Sequence, residues 1–433
     1  MSSRNLVDAS VYRPAMETEL WELVPPKIVG PLPGRATPRS EADDDVAQCA
    51  AASLRTPCDF PDIQQAIVTG DHVAFAVDPN VPRLAAVLTG LLGAIAHTDI
   101  ARISIVLWDE VDIRLVHQLN ETLRSDPMTA RVSQGGLSVV RHRPSDRSQQ
   151  RYVIADEEAL PVYLAQDLVD ADMVIPVVAA RRARGRNEGI GSDPTGIFPM
   201  FADSESMQRH LQSGSGMIQD DSRADAFHPT ASASMTDNLL GVQVMVLVSS
   251  DAAGEVGSVL SGTPLAIRQQ LEAFFDAPDD ISDPQADLVL ASLDGNIAVQ
   301  TWPNVARAAI AGSRHVSEGG AIVVWSRLAD PCPPSWQRIW TTDSTAETSH
   351  EPDDPALTDS ESELNPVMRS LATRLADLRR SYTVWLHSDL PRTDVEDLGW
   401  AVVDSVSELK QLASSRNGAG VLRAAALHGA EIE

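Results

Sequence analysis

The apolar positions of this chain fall into short runs, each followed by an amphipathic stretch, the pattern of strands alternating with helices in α/β units. His72–Val77 is such a run; it closes on Asp78, passes a Pro-Asn-Val-Pro turn and enters a helical stretch, Leu84–Ala96. Ile103–Leu107 predicts the next strand and Asp112–Leu123 its helix. Leu137–Val140 and Tyr152–Ile154 read as further strands. Met173–Val178 reads as a buried strand, although Pro176 cannot donate to a ladder and weighs against a central position. Leu239–Val248 predicts a strand and Leu265–Phe275 a helix. A second set begins with strand Asp287–Leu293, helix Trp302–Ser313 and strand Ala321–Trp325, with Gly319-Gly320 suited to the turn between the last two. Pro366–Arg380 reads as helix, Tyr382–His387 as strand, and Val406–Ala413 and Val421–His428 as closing helices. Ahead of the first strand, Ala47–Ile67 reads as a helix interrupted near Pro57 and Pro61.

Four stretches lack such periodicity. Residues 1–45 are rich in proline and acids, an extended lead-in; residues 213–237 have few apolar positions and read as a loop; residues 276–284 form a turn-rich linker. Residues 341–365 carry eight acids among many Ser and Thr, the pattern of a disordered or solvated insertion. No internal repeat of fixed period is present. No apolar run approaches the roughly 18 residues that a membrane span needs, so none is expected. The first residues contain acids and no apolar core, which argues against a secretory signal and makes the cytoplasm the expected location.

The length, 433 residues, suits two or three domains. A net charge of −27 argues against a nucleic-acid partner, because phosphate contacts would have to come from an acidic surface. Lys27 and Lys410 are the only lysines, so arginine supplies nearly all the positive charge. That skew favours bidentate contacts to a small anion, such as a hydroxy acid or phosphate, or else reflects genome-wide bias. Cys49, Cys58 and Cys332 are scattered without CxxC spacing, which predicts neither a disulfide framework nor a zinc site.

The densest candidate chemistry lies between Asp170 and His210. Arg181, Arg182, Arg184 and Arg186 follow the Met173–Val178 strand. Guanidinium groups at a strand's carboxyl end can clamp an anion, and the same spacing also fits a solvated loop. The glycines at 185, 189, 191 and 196 make no GxGxxG or Walker pattern, so no nucleotide is inferred. Asp203 or Ser204 can cap a helix reaching Gln212 and carrying His210; one imidazole by itself makes no selective metal site. His142 and Asp146, four residues apart, form either a working pair or structural loop contacts. His117 falls inside a helical pattern and reads as a surface or core-edge residue.

Together these motifs resemble the nickel-pincer lactate racemase (LarA-like) family. Anchored on Pro199, Thr195 stands where that family keeps the lysine that carries its cofactor, His210 where it keeps the nickel-binding histidine, and Arg181 near a catalytic histidine. The family's Asp-x-Thr-Arg-Pro turn, whose Thr and Arg hold the cofactor phosphate, matches Asp78 to Pro82 with Asn80 and Val81 at those two places. Its Gly-Thr-His turn, which bears a proton-shuttling histidine, corresponds to Trp108-Asp109-Glu110; two acids there would repel a carboxylate substrate. A family histidine with a nearby Asp matches His142 and Asp146. Counted from Gly295, the second domain's Gln and Lys correspond to Asn304 and Arg307.

The resemblance implies an α/β protein of two domains with Rossmann-like parallel sheets and a cleft between them. Residues 46–264 would form the N-terminal domain, 265–284 the hinge and 285–433 the C-terminal domain with the acidic insertion. It implies candidate catalytic residues His142, Arg181, Asn304 and Arg307, candidate cofactor contacts Asp78, Asn80 and Thr195, and a candidate metal ligand, His210. With no lysine near the loop, the expectation is a chain without covalently held cofactor or racemase activity, which either binds a small anion in the cleft through Arg181, Arg182, Asn304 and Arg307 or serves as an interaction subunit. The alternative is a 2-hydroxy-acid racemase or epimerase, an isomerase, that holds a nickel-pincer nucleotide noncovalently.

Overall fold

The computed structural model describes residues 28–29, 43–127, 129, 136–156, 158–181, 195–214, 238–250, 254–275, 286–341, 364–416 and 419–422. The strands are β1 (Ile28–Val29), β2 (His72–Val77), β3 (Arg102–Leu107), β4 (Leu137–Arg141), β5 (Gln150–Ala155), β6 (Pro161–Ala165) and β7 (Met173–Ala179). They continue as β8 (Met245–Ser250), β9 (Val256–Gly262), β10 (Ala286–Ser292), β11 (Val316–Trp325), β12 (Thr383–His387), β13 (Ala401–Val402) and β14 (Ala419–Leu422). The longer helices are α1 (Asp43–Arg55), α2 (Leu84–Ile95), α3 (Ile113–Ser125), α4 (Ser204–Gly214) and α5 (Pro264–Phe275). After these come α6 (Trp302–Ser313), α7 (Pro334–Thr341), α8 (Pro366–Ser381) and α9 (Val406–Ser414).

Among the described residues the strands build two six-stranded sheets and one small hairpin. The first sheet runs β4-β3-β2-β7-β8-β9 and is parallel except for β9, which returns antiparallel to β8. The second runs β1-β14-β10-β11-β12-β13 and is parallel throughout. The fold class is therefore α/β with two parallel sheets. The apolar runs in β2, β3 and β7, broken only by Ser104 in β3, follow from burial on both faces, which parallel sheets require.

Two expectations about strands change. Pro176 sits inside a central strand, opposite Ala76 of β2, and the ladder to β8 is registered only from Val177 to Ala179, beyond the proline. The segment from Val421, read as a closing helix, begins instead as part of β14, which inserts between β1 and β10. A vacant ladder on β10 outweighs the helical preference of an alanine-rich stretch. Within the lead-in, Ile28–Val29 is a strand of the second sheet. The edge strand β9 does not stand out in the sequence, since its Gly- and Ser-rich stretch carries a weak strand signal.

One apolar cluster runs unbroken from the first sheet to the second, joining Ala74, Val106, Phe198 and Phe201 to Trp302, Val324 and Leu371. The two sheets therefore share a core, and their carboxyl edges are fixed against each other. Among the described residues, no helix is long and apolar enough to cross a membrane.

Candidate functional site

The strands β2, β3, β7 and β10 end at a common seam, the place where open α/β sheets present side chains to ligands. Asp78 follows β2 and is fully buried. Its Oδ1 accepts from the Asn80 backbone N–H at 2.9 Å and from Asn80 Nδ2 at 3.0 Å. Its Oδ2 accepts from the Ala179 N–H at 3.1 Å and from Arg181 Nη1 at 2.5 Å. The Arg181 guanidinium lies 5.1 Å from the centroid of the Trp108 ring, a cation–π placement.

From Asn80 the network crosses to the second sheet. Asn80 Nδ2 also donates to Glu110 Oε1 at 2.6 Å, and Asn80 Oδ1 accepts from Asn304 Nδ2 at 2.8 Å. Glu110 takes Arg307 Nη2 on Oε2 at 2.5 Å and Nη1 on Oε1 at 3.1 Å. Arg307 Nη1 donates as well to Asn304 Oδ1 at 2.9 Å. Both side chains of the Arg307–Glu110 pair are nearly closed to solvent, at 5% and 4%. Asn304 and Arg307 are three residues apart on α6 and share one face; Thr301 caps that helix by accepting from the Asn304 N–H.

The anticipated carboxylate-repelling acids are therefore neutralised. Glu110 is held by Arg307, while Asp109 accepts from Asn365 Nδ2 at 3.0 Å and lies 3.6 Å from Arg141 Nε. Asn365 and the bidentate pair of Arg83 with Glu255 were not singled out in the sequence; each partner lies more than a hundred residues away, where no spacing rule reaches. A small cavity of about 30 Å³ adjoins the network and is lined in part by Asn80, Asn304, Ser250, Gly254 and Asn296.

The remaining candidates sit elsewhere. His142 is buried and its Nε2 lies 2.8 Å from the Ala202 carbonyl, so that nitrogen carries the hydrogen. Burial pushes its imidazole below the ordinary histidine range. Asp146 instead caps a 3₁₀ turn, accepting from the Ser148 N–H and hydroxyl and from Gln149 Nε2. The structure thus gives His142 and Asp146 separate structural partners. Thr195 is fully buried, and its hydroxyl accepts from the Ile197 N–H at 3.3 Å.

Asp203 caps α4, as its sequence suggests: Oδ1 accepts from the Glu205 and Ser206 N–H groups. His210 stands edge-on to Phe198, with centroids 5.2 Å apart, and burial lowers its pKa. Arg182, Arg184 and Arg186 lie outside the described residues. Among the described residues, no group of three or more His, Cys, Asp or Glu is placed to hold a metal.

Two parallel α/β sheets with a polar seam at their carboxyl edges define the class of protein. No family model and no curated protein matches the chain. Among solved structures, it is similar to the lactate racemase apoprotein from Thermoanaerobacterium thermosaccharolyticum, with a TM-score of 0.62 over 95% of this chain and 94% of that one, at 14% identity. It is also similar to a structural-genomics protein from Thermotoga maritima, with a TM-score of 0.55 over 84% of this chain and 92% of that one, at 9% identity. At these identities the likeness is one of fold: the chain has a lactate racemase-like fold.

Proposed function

We propose that this chain is a lactate racemase-like homologue that works without a covalently held nickel-pincer cofactor and binds a small carboxylate or phosphate at the seam between residues 46–264 and 285–433. The residues present do not fit that cofactor. Lys27 and Lys410 are the only lysines, so no amine can carry the group at Thr195. Val81, at the place of the phosphate-holding arginine, is 2% exposed and belongs to the apolar core. The neighbouring Arg83 is committed to Asp43 and Glu255. A histidine pair that could move a proton is replaced at one turn by acids and at another by Arg181.

The observation that supports anion binding is that Arg307 and Asn80 already present three N–H groups to one carboxylate, that of Glu110. A bidentate guanidinium shielded from water is a strong carboxylate or phosphate receptor. Nothing in the charge balance favours nucleic acid or a membrane as partner. Calorimetric titration with L-lactate, related 2-hydroxy acids and inorganic phosphate tests the reading. One of these is expected to bind and to raise the thermal midpoint; absence of heat and of stabilisation with all of them would sink it.

One observation favours a second reading, a 2-hydroxy-acid racemase with noncovalent cofactor. Burial displaces the His210 pKa downward, toward the neutral imidazole that ligates a metal. That reading predicts about one nickel per chain and a dissociable cofactor mass in protein coexpressed with a pincer-cofactor pathway. Such protein would interconvert enantiopure lactate; a nickel-free chain inert toward lactate would end it.

A further inference from the structure

We infer that Glu110 is the built-in occupant of an anion seat formed by Arg307 and Asn80 and oriented by Asn304, so that this side chain decides which external anions the seam admits. The inference rests on the proposed anion site and deepens it.

The donor arrangement leaves little freedom. Asn80 faces two carboxylates, Asp78 and Glu110, which only accept, so its amide nitrogen must point to them and its oxygen toward Asn304. Asn304 faces the Arg307 guanidinium, which only donates, so its oxygen points there and its nitrogen toward Asn80 Oδ1 and the Val299 carbonyl. Each amide is thereby fixed by its neighbours, and three N–H groups converge on the place that the Glu110 carboxylate fills. Asn304 does not touch that carboxylate; it is a positioning residue.

The occupant is attached differently from the seat. Arg307 and Asn304 stand on α6, whose inner face is packed in the core. Glu110 instead stands on a turn closed by the Val111 N–H donating to the Trp108 carbonyl. A turn can release one side chain without shifting the register of a sheet, whereas α6 cannot withdraw Arg307 without disturbing its packing. Beside the network lies the cavity bounded by Asn80 and Asn304, with room for about one water. A buried ion pair contributes little net stability compared with an apolar pair of the same volume, so its presence at a ligand-binding edge fits selection of a ligand better than reinforcement of the fold.

Glu110→Ala removes Cγ and the carboxylate, the volume of one acetate ion. Thermal unfolding of the full chain with sodium acetate or sodium chloride at equal ionic strength reads the seat directly. Acetate is expected to raise the midpoint of Glu110→Ala well beyond the effect of chloride, to affect the wild-type chain, whose seat Glu110 fills, far less, and to do nothing for Glu110→Ala combined with Arg307→Gln. Equal effects of acetate and chloride on Glu110→Ala would overturn the inference. If Glu110→Ala does not fold, Glu110→Asp keeps the charge on a shorter arm, and L-lactate or phosphate should bind it at least tenfold more tightly than the wild type. Equal affinity in the two chains would overturn the seat and leave the anion site standing. Rescue by acetate without any binding of L-lactate or phosphate would uphold the seat and remove the proposed ligands.

Discussion

Arg181 Nη1 lies 2.5 Å from Asp78 Oδ2, joining the residue that follows β2 to the end of β7 over a separation of 103 residues. The same carboxylate fixes Asn80 through two hydrogen bonds and accepts the Ala179 N–H. Asp78→Asn keeps the shape and removes the buried charge that faces the Arg181 guanidinium. Breaking one side of a buried pair costs about 3–5 kcal/mol. Urea unfolding should therefore show a loss of that order; a loss below about 1 kcal/mol would mean that the Trp108 face and solvent compensate the cation.

Arg114 makes the opposite case. It contacts Asp112 and Asp330, thereby joining the two halves of the chain, but all three side chains are at least one-third open to solvent or nearly so. Such pairs are screened and contribute about 0–1 kcal/mol. Arg114→Ala should shift the urea midpoint only slightly, and the shift should vanish in molar salt. A salt-insensitive loss as large as that of Asp78→Asn would show that this contact holds the halves together.

The buried His142 sets a pH dependence. Its pKa in the folded chain is below the ordinary value of about 6.5, because burial disfavours the imidazolium. As pH falls below about 6.5 the unfolded chain takes up the proton first, so the stability present above that pH is lost progressively toward the depressed folded value. His210 and His387 are displaced in the same direction, also by burial. His142→Gln can still donate to the Ala202 carbonyl but does not titrate. Unfolding free energies at pH 7.5 and 5.5 should differ less in this variant than in wild type, by up to about 1.4 kcal/mol per pH unit across the titrating window. An unchanged difference would place the titration elsewhere.

The parts of this fold that were legible in the sequence are those specified by local pattern. The apolar runs of β2, β3, β7 and β10 point to strands and the pattern of Trp302–Ser313 to a helix, which the structure finds capped by Thr301. β14 was illegible because Ala419–Leu422 becomes a strand only through the ladders offered by β1 and β10. The sequence points to Asp78, Asn80, Arg181, Asn304 and Arg307, whereas Glu110 reads from it as a repelling acid. Its partner Arg307 is 197 residues away, and no spacing rule reveals which guanidinium will face which carboxylate. His142 and Asp146 show the converse: four residues apart, they read either as a pair or as structural loop contacts, and the carbonyl of Ala202 and the Ser148 turn give the structural outcome.

Gly254 gives a test of how tightly the seam is closed. It has a left-handed φ of +73°, and a Cβ placed there would stand 2.3 Å from the Gly295 nitrogen and 2.5 Å from the Asp294 carbonyl carbon, both backbone atoms. Gly241 has a similar φ of +61° with nothing within 4 Å of such a Cβ. Both substitutions to alanine carry the left-handed penalty of roughly 1–2 kcal/mol. Only Gly254→Ala must also push apart the backbones that follow β8 and β10, which adds a packing cost of about 1–3 kcal/mol. The expected result is a Gly254→Ala chain distinctly less stable than Gly241→Ala and weaker in binding L-lactate or phosphate, since Gly254 shares the small cavity with Asn80 and Asn304. Equal losses in the two variants would mean that the seam yields freely, and that the contact between Gly254 and Gly295 does not hold the network in place.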